Sequence, residues 1–201
     1  MPHQLIITEK PSAAKKIAEA LADNKPKYRN INGVSIIDIE KDGMDITVVS
    51  AVGHLFTVGE KKKSFKYPSF DLEWKPSFNT KGSEFTKKYY DVIIKEAKKA
   101  DSFIVATDYD IEGEVIGWNV VRFLCNQKDA NRMKFSTLTK PDLLESYEHK
   151  SKTIDWGQAK AGETRHFLDW MYGINISRAL TLAIRKAKVY ETLSSGRVQG
   201  P

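Results

Sequence analysis

The sequence predicts an α/β fold, with a mainly parallel sheet flanked by helices on both faces and a helical segment after it. Short apolar runs such as "QLIIT" (residues 4–8) and "SFIVAT" (102–107) alternate with amphipathic helical patterns in the first part of the chain. Fully apolar strands of this kind are typical of parallel sheets that are buried on both faces. After the polar stretch "HKSKTIDWGQ" (149–158) the pattern is helical without strands. We therefore expect one domain at residues 1–152 and the start of a second, helical domain at residues 153–201.

The first strand, "QLIIT", precedes Pro11, which suits the first position of a helix, and apolar residues at helical spacing follow it. Two further strands are predicted at Val34–Glu40 and Ile46–Ala51, because "KDG" between them is a hairpin turn signal. Residues 59–82 hold many Lys, Pro, Ser and Gly residues and few periodic apolar positions, which predicts a long loop.

The next helix is predicted to be capped by Ser83 and to reach about Ala100, because its apolar residues share one face. "SFIVAT" is the following buried strand. The remaining predicted elements are a helix at Glu112–Leu124, a strand "RMKFST" (132–137), and helices at Pro141–His149, Ala159–Tyr172 and Ile174–Lys188.

Composition points to a polyanionic partner. The chain of 201 residues has a net charge of +6 and a pI near 9.2, and nucleic acid is the first expectation for such a balance. No apolar stretch approaches the roughly 20 residues that a membrane helix needs, and no signal peptide pattern is present. The single cysteine, Cys125, fits a reducing cytoplasm and is expected to be a buried apolar residue.

An acidic cluster follows the strand "SFIVAT". Asp108, Asp110, Glu112 and Glu114 occur within "ATDYDIEGE", and Glu9 stands in the same relation to the first strand. Ligands of α/β sheets bind beyond the carboxyl ends of the strands, where these acids are expected to meet. Because Asp108 and Asp110 are two residues apart, an extended segment directs both side chains to one side.

Several carboxylates in one place need a positive counter-charge, since each raises the pKa of its neighbours. Mg²⁺ takes oxygen ligands, so the sequence predicts a magnesium site formed by Asp108, Asp110 and Glu112. The simpler alternative is a solvated acidic loop that caps a helix. A phosphatase of the aspartyl-phosphate type is disfavoured, because Glu112 stands where that class has a small hydroxyl residue. No cluster of Cys and His residues suggests zinc.

Two motifs, "LIITEKPS" (5–12) and "ATDYDIEGE" (106–114), resemble the TOPRIM domain of topoisomerases, primases and certain nucleases. In the tail, "TRHFLDWMYGINISRALT" (164–181) and "LSSGRVQGP" (193–201) resemble the beginning of the gate-forming helical part of type IA DNA topoisomerases. With "GHL" (53–55) and "DLEW" (71–74), the resemblance covers essentially the whole chain. It is closest to the topoisomerase III and archaeal topoisomerase I branch, because Lys10 directly follows Glu9.

The resemblance implies a role for each matching residue. Glu9 would be the acid/base that serves the 3′ oxygen of the cut strand, and Lys10 would stabilise charge on the scissile phosphate. Asp108, Asp110 and Glu112 would hold Mg²⁺. Contacts to single-stranded or underwound DNA would come from Arg165 oriented by Asp169, and from Ser195, Arg197 and Gln199. His54 would line the DNA path, although a structural histidine is equally consistent with its position.

The catalytic tyrosine of the family lies in a later domain, and none of the eight tyrosines here has its sequence context. Tyr109 lies inside the acidic loop, but its side chain is expected to point away from those of Asp108 and Asp110. The resemblance therefore implies an N-terminal part of a larger enzyme that cannot cleave DNA alone. Two alternatives remain open: a TOPRIM nuclease that uses water and Mg²⁺, and a binding module in which the acids only cap a helix.

Overall fold

The computed structural model describes residues 2–64, 66–188 and 190–196. The chain forms two compact units, the first from Met1–Phe56 and Pro76–Gly162, the second from Thr57–Lys75 and Glu163–Pro201. The predicted division after residue 152 is a single cut, whereas the second unit is assembled from two separate segments. A division of the sequence at a single point places the segment 57–75 in the first domain, so its membership of the second unit was not predicted.

The first unit is built on a six-stranded sheet with strand order β2-β3-β4-β1-β7-β8. Its strands are β1 (His3–Thr8), β2 (Lys27–Ile31), β3 (Val34–Lys41), β4 (Met44–Ser50), β7 (Ser102–Ala106) and β8 (Asn131–Arg132). Its helices are α1 (Pro11–Leu21), α2 (Thr86–Ala97), α3 (Ile111–Phe123) and α4 (Lys140–Glu148), with a short 3₁₀ turn at Ser77–Asn79.

The centre of the sheet is parallel and one side is antiparallel. β1 pairs in parallel with both β4 and β7, and β8 pairs in parallel with β7. β3 pairs antiparallel with β4 and with β2. The predicted mainly parallel sheet is therefore confirmed. β2 was not predicted, because its sequence "KYRNI" is polar and largely exposed and pairs through its backbone.

Helices cover both faces of this sheet. Ile6 and Ile104 pack in one cluster with Ile17 of α1 and Leu143 of α4. Side chains alternate along a strand, so Val105 faces the opposite side. There α3 packs so closely that a Cβ added to Gly117 would lie 2.3 Å from Val105 Cγ1. The short apolar strands are thus buried by helices on both faces, as their composition predicts.

One predicted helix start, one loop and one strand differ from the structure. α2 begins at Thr86 rather than after Ser83, because the residues from Ser83 form a turn in which Thr86 Oγ1 donates to the Ser83 carbonyl. Within the predicted loop 59–82 the chain forms β6 (Leu72–Pro76), which pairs with β5 (Phe56–Glu60) in a two-stranded sheet. The predicted strand 132–137 is reduced to Asn131–Arg132.

The second unit contains the greater part of this small sheet and of α5 (Trp156–Lys186), which is one helix rather than the two predicted. Arg178 of α5 donates to both carboxylate oxygens of Glu60, at 2.7 and 3.0 Å. This ion pair lowers the pKa of Glu60 to about 2. None of the helices in the described residues is apolar over a length sufficient to span a bilayer.

Candidate functional site

Parallel pairing brings Glu9 and Asp108 to the same edge of the sheet. Thr8 at the end of β1 is in register with Ala106 at the end of β7, and the two acids follow within two residues of these positions. The Glu9 carbonyl accepts hydrogen bonds from Ser50 Oγ and the Gly53 N–H, both at 3.2 Å. The turn after β4 therefore fixes the backbone of Glu9.

Lys10 lies between the two carboxylates. Its Nζ is 2.7 Å from Asp108 Oδ2 and 3.1 Å from Glu9 Oε1. The hydrogen bond to Asp108, followed by the one to Glu9, raises the pKa of Lys10 above its usual value. The side chain remains about half exposed. This arrangement places a positive charge between two carboxylates at the carboxyl ends of β1 and β7, where the sequence predicts a cation.

Asp110 is the N-cap of α3. Its Oδ1 accepts the Gly113 N–H at 2.7 Å, which uses one of its two carboxylate oxygens. Gly113 has a packing role, because an added Cβ would lie 2.1 Å from the Asp108 carbonyl oxygen. The first turn of α3 thus crosses directly over the backbone of Asp108, which restricts how the acidic loop can move.

Glu112 contacts His54. The distance from Glu112 Oε2 to His54 Nε2 is 3.2 Å, and both side chains are about one-third exposed. His54 belongs to the turn after β4, in which Val52 and Gly53 both have positive φ values. The structure therefore places His54 at the same edge of the sheet as the acids. We call Glu9, Lys10, Asp108, Asp110 and Glu112 together the acidic edge.

Glu114 is separate from the acidic edge. Its side chain is fully buried and accepts a hydrogen bond from Arg132 Nε at 2.7 Å. Arg132 is not among the predicted site residues. The position of Glu114 indicates that it has a buried partner. It lies seven residues, or about two helical turns, before the buried Val121 and is therefore on the inward face of α3. An acid on such a face requires a buried cationic partner.

A cavity of about 440 Å³ adjoins the acidic loop and is lined by Asp108, Tyr109, Asp110 and residues 135–138. The Tyr109 hydroxyl donates to Asp155 Oδ2 at 3.1 Å. The Tyr109 ring lies 4.8 Å from Lys134 Nζ and 5.6 Å from the Arg132 guanidinium carbon. These contacts hold Tyr109 in one position against cationic side chains.

The remaining predicted site residues belong to the second unit. Arg165 Nε lies 3.7 Å from Asp169 Oδ2 one helical turn later, and both side chains are well exposed. Ser195 lies in a segment without regular secondary structure, and its N–H donates to Ser177 Oγ of α5 at 2.9 Å. Arg197 and Gln199 lie outside the described residues.

Comparison with known proteins agrees with this geometry. The model of the Toprim domain family matches residues 4–138. The chain is 51% identical over 98% of its length to DNA topoisomerase 1 of Methanocaldococcus jannaschii, and 47% identical over 98% to that of Pyrococcus horikoshii. It spans 26% and 29% of those proteins, about a quarter of their length.

A similar fold occurs in a solved structure. Full-length topoisomerase I from Thermotoga maritima superposes with a TM-score of 0.60 at 24% identity, covering 96% of this chain and 28% of that one. The family match includes both the strand that precedes Glu9 and the acidic loop. The chain therefore belongs to the Toprim domain family, and nearly its whole length corresponds to one part of proteins named DNA topoisomerase 1.

Proposed function

We propose that this chain is the metal- and phosphate-binding part of a type IA DNA topoisomerase. Such an enzyme cuts one strand, holds its 5′ phosphate on a tyrosine, passes another strand through the break and reseals it. The observation that carries the proposal is the Lys10 ammonium group held between Glu9 and Asp108 at the carboxyl edge of the sheet. An acid, a cation and a carboxylate that would bind a metal ion thus lie together at this edge, where a phosphodiester would meet all three.

The donors of the acidic edge fit Mg²⁺. Four carboxylates and one ammonium group leave an excess of negative charge, and carboxylate oxygens are the ligands that Mg²⁺ prefers. Asp108, Asp110 and Glu112 would hold the ion, and Lys10 already occupies part of this region as a cation. A bound Mg²⁺ supplies positive charge that neutralises phosphate oxygens.

Glu9 and Lys10 would act on the phosphodiester itself. A 3′ oxygen leaves readily only if it is protonated, so the Glu9 carboxyl group donates its proton as the bond to phosphorus breaks. On resealing, the Glu9 carboxylate accepts the proton of the 3′ hydroxyl. Lys10 stabilises the negative charge that develops on the non-bridging oxygens of the phosphate.

The second unit would contact single-stranded DNA. Arg165 binds a phosphate and is oriented by Asp169, which is its i,i+4 partner. Ser195, Arg197 and Gln199 contact the strand near the cleaved bond, and His54 lines the DNA path. The nucleophilic tyrosine would lie outside these 201 residues. It would belong to a part of the enzyme that corresponds to the remaining length of the relatives. The enzyme would act on DNA in the cytoplasm, where the Cys125 thiol stays reduced.

Fluorescence anisotropy with a labelled oligodeoxythymidylate tests the DNA-binding half of the proposal. We expect Arg165→Ala to weaken binding several-fold. The slope of log affinity against log salt concentration should decrease in magnitude by about one, because one phosphate contact is lost. Lys15→Ala removes an exposed lysine from α1 and is the matched control, with affinity close to that of the wild type. Equal weakening by both variants would refute a specific role for Arg165.

Trapping experiments with denaturant test the assignment of the nucleophile. We expect no 5′-phosphotyrosyl adduct on the 201-residue chain, because none of its tyrosines has the required context. A trapped adduct would overturn this assignment. Degradation of linear single strands with Mg²⁺, abolished by Asp108→Ala, would instead support a TOPRIM nuclease.

A further inference from the structure

A buried ion pair lies directly beneath the acidic loop. Arg132 and Glu114 are both fully inaccessible to solvent, and Arg132 Nε lies 2.7 Å from Glu114 Oε2. Neither residue belongs to the acidic edge. Replacing such a pair with apolar residues is often neutral or stabilising, so burial of two charges is weak evidence for a role in stability alone.

The remaining donors of Arg132 bind the backbone of the loop. Its Nη1 donates to the Thr107 carbonyl at 2.9 Å, and its Nη2 donates to the Asp108 carbonyl at the same distance. Nη1 also donates to the carbonyl of Met133. The guanidinium group therefore fixes the two peptide groups that determine where the Asp108 side chain points.

Glu114 completes the arrangement from the other side. Its Oε1 accepts the Asp155 N–H at 2.6 Å, while its Oε2 accepts from Arg132. Tyr109, which lies between Asp108 and Asp110, donates to the side chain of the same Asp155. The loop is thus held at its backbone by Arg132 and at its one aromatic side chain by Asp155, and Glu114 contacts both of these residues.

We propose that Arg132 and Glu114 are positioning residues for the cation site of the acidic edge. Arg132 holds the carbonyls of residues 107 and 108 and thereby keeps the Asp108 carboxylate at the acidic edge, where it would bind the cation. Glu114 orients the guanidinium group and neutralises its charge, which would otherwise repel a divalent ion. This inference rests on the proposed function, because it presupposes that the acidic edge binds Mg²⁺.

Isothermal titration of Mg²⁺ into the 201-residue chain tests the proposal. Arg132→Lys keeps the charge, but a lysine cannot reach Glu114 and two carbonyls at once, and we expect at least tenfold weaker Mg²⁺ binding. Glu114→Gln keeps the shape, but its amide accepts at only one of the two places where Glu114 accepts, and we expect several-fold weaker binding. Glu96→Gln, which alters a buried acid near the opposite end of the sheet, is the matched control and should bind Mg²⁺ within twofold of the wild type.

Thermal unfolding with and without Mg²⁺ separates positioning from a purely structural role. If the pair is purely structural, a substitution in it lowers the unfolding temperature by the same amount with and without Mg²⁺. If its members position the site, the substitution also reduces the increase in unfolding temperature that Mg²⁺ produces. Folded Arg132→Lys with wild-type Mg²⁺ affinity would overturn the proposal, and if that variant does not fold, Glu114→Gln decides by the same criterion. Absence of Mg²⁺ binding by the wild type would overturn the proposed function together with the positioning role.

Discussion

Two clusters of charged side chains lie at opposite ends of the first unit's sheet and differ in charge balance. Near the amino end of β1, Arg29 bonds Asp38 and Glu96, and Lys99 bonds Glu96 at 2.7 Å. We call these four residues the balanced cluster, since two cations meet two carboxylates. At the carboxyl end, the acidic edge has four carboxylates and a single ammonium group, Lys10.

In the balanced cluster each carboxylate is matched by a cation, whereas the carboxylates of the acidic edge outnumber its one ammonium group. Thr47 Oγ1 donates to Asp38 at 2.8 Å and therefore accepts from His3 Nε2 at 2.9 Å, so the oxygens of the balanced cluster are well supplied with partners. Both clusters combine acidic and basic side chains near one sheet. What distinguishes the candidate site from a structural network is therefore the excess of negative charge, not the presence of acidic residues.

Acid is expected to have the largest effect, because it removes several interactions of the balanced cluster at once. Burial favours a higher pKa for Asp38 and Glu96, but hydrogen bonds from Arg29, and from Thr47 or Lys99, outweigh it and lower both pKa values. A carboxyl group with a lowered folded pKa contributes stability above its unfolded pKa and loses it as the pH falls through the folded value. The free energy of unfolding should therefore decrease below about pH 4.5.

Urea unfolding at a series of pH values measures this decrease. Asp38→Asn should flatten the pH dependence because one of the shifted groups is gone. If the variant keeps the full wild-type slope, the balanced cluster does not account for acid sensitivity.

Removing one member of the balanced cluster should have the next largest effect. Glu96→Ala leaves Arg29 without one of its two acidic partners and Lys99 without its acceptor, and the loss of hydrogen bonds between charged groups costs on the order of 2 kcal/mol. Chemical denaturation measures the loss. Lys87→Ala on the exposed face of α2 is the control and should change stability by less than about 0.5 kcal/mol. A loss of Mg²⁺ affinity in Glu96→Ala would contradict the separation of the two clusters.

A smaller effect is expected at Asp110, where two substitutions separate capping from charge. Asp110→Asn preserves an N-cap side chain and should leave stability unchanged, whereas Asp110→Ala should lose about 1 kcal/mol. Both should weaken Mg²⁺ binding, because both remove a carboxylate from the acidic edge. Denaturation and Mg²⁺ titration of the two variants distinguish these effects. Wild-type Mg²⁺ affinity in Asp110→Asn would show that Asp110 is only a helix cap.

Local sequence patterns predicted much of this molecule. The apolar strands, Pro11 at a helix start and the "KDG" turn are signals within a few residues, and the structure has each of them. β2 and the strand at Leu72–Pro76 were missed, because neither sequence has a run of buried apolar residues. β2 forms a strand by backbone pairing with the neighbouring β3. The continuity of α5 through Gly173 was also missed, because a glycine lowers helix propensity only modestly.

The candidate site was predicted only in part, because sequence patterns report local structure and not contacts between distant residues. Glu9 and Asp108 follow the ends of two paired strands, so strand order alone brings them to one edge of the sheet. The ion pair of Arg132 with Glu114 depends on how α3 and β8 pack in three dimensions, and the eighteen-residue separation of its members carries no local signal. The contact of His54 with Glu112 likewise joins two turns that are distant in sequence.

Calorimetric titration of Mg²⁺ into the wild-type chain and into Asp108→Asn tests the central claim, that the acidic edge is a cation site. Asp91→Asn, which removes an exposed acid from α2, is the control for a general loss of negative charge. We expect saturable binding by the wild type and by Asp91→Asn, and at least tenfold weaker binding by Asp108→Asn. Equal affinities in all three proteins, or no binding by the wild type, would contradict the account.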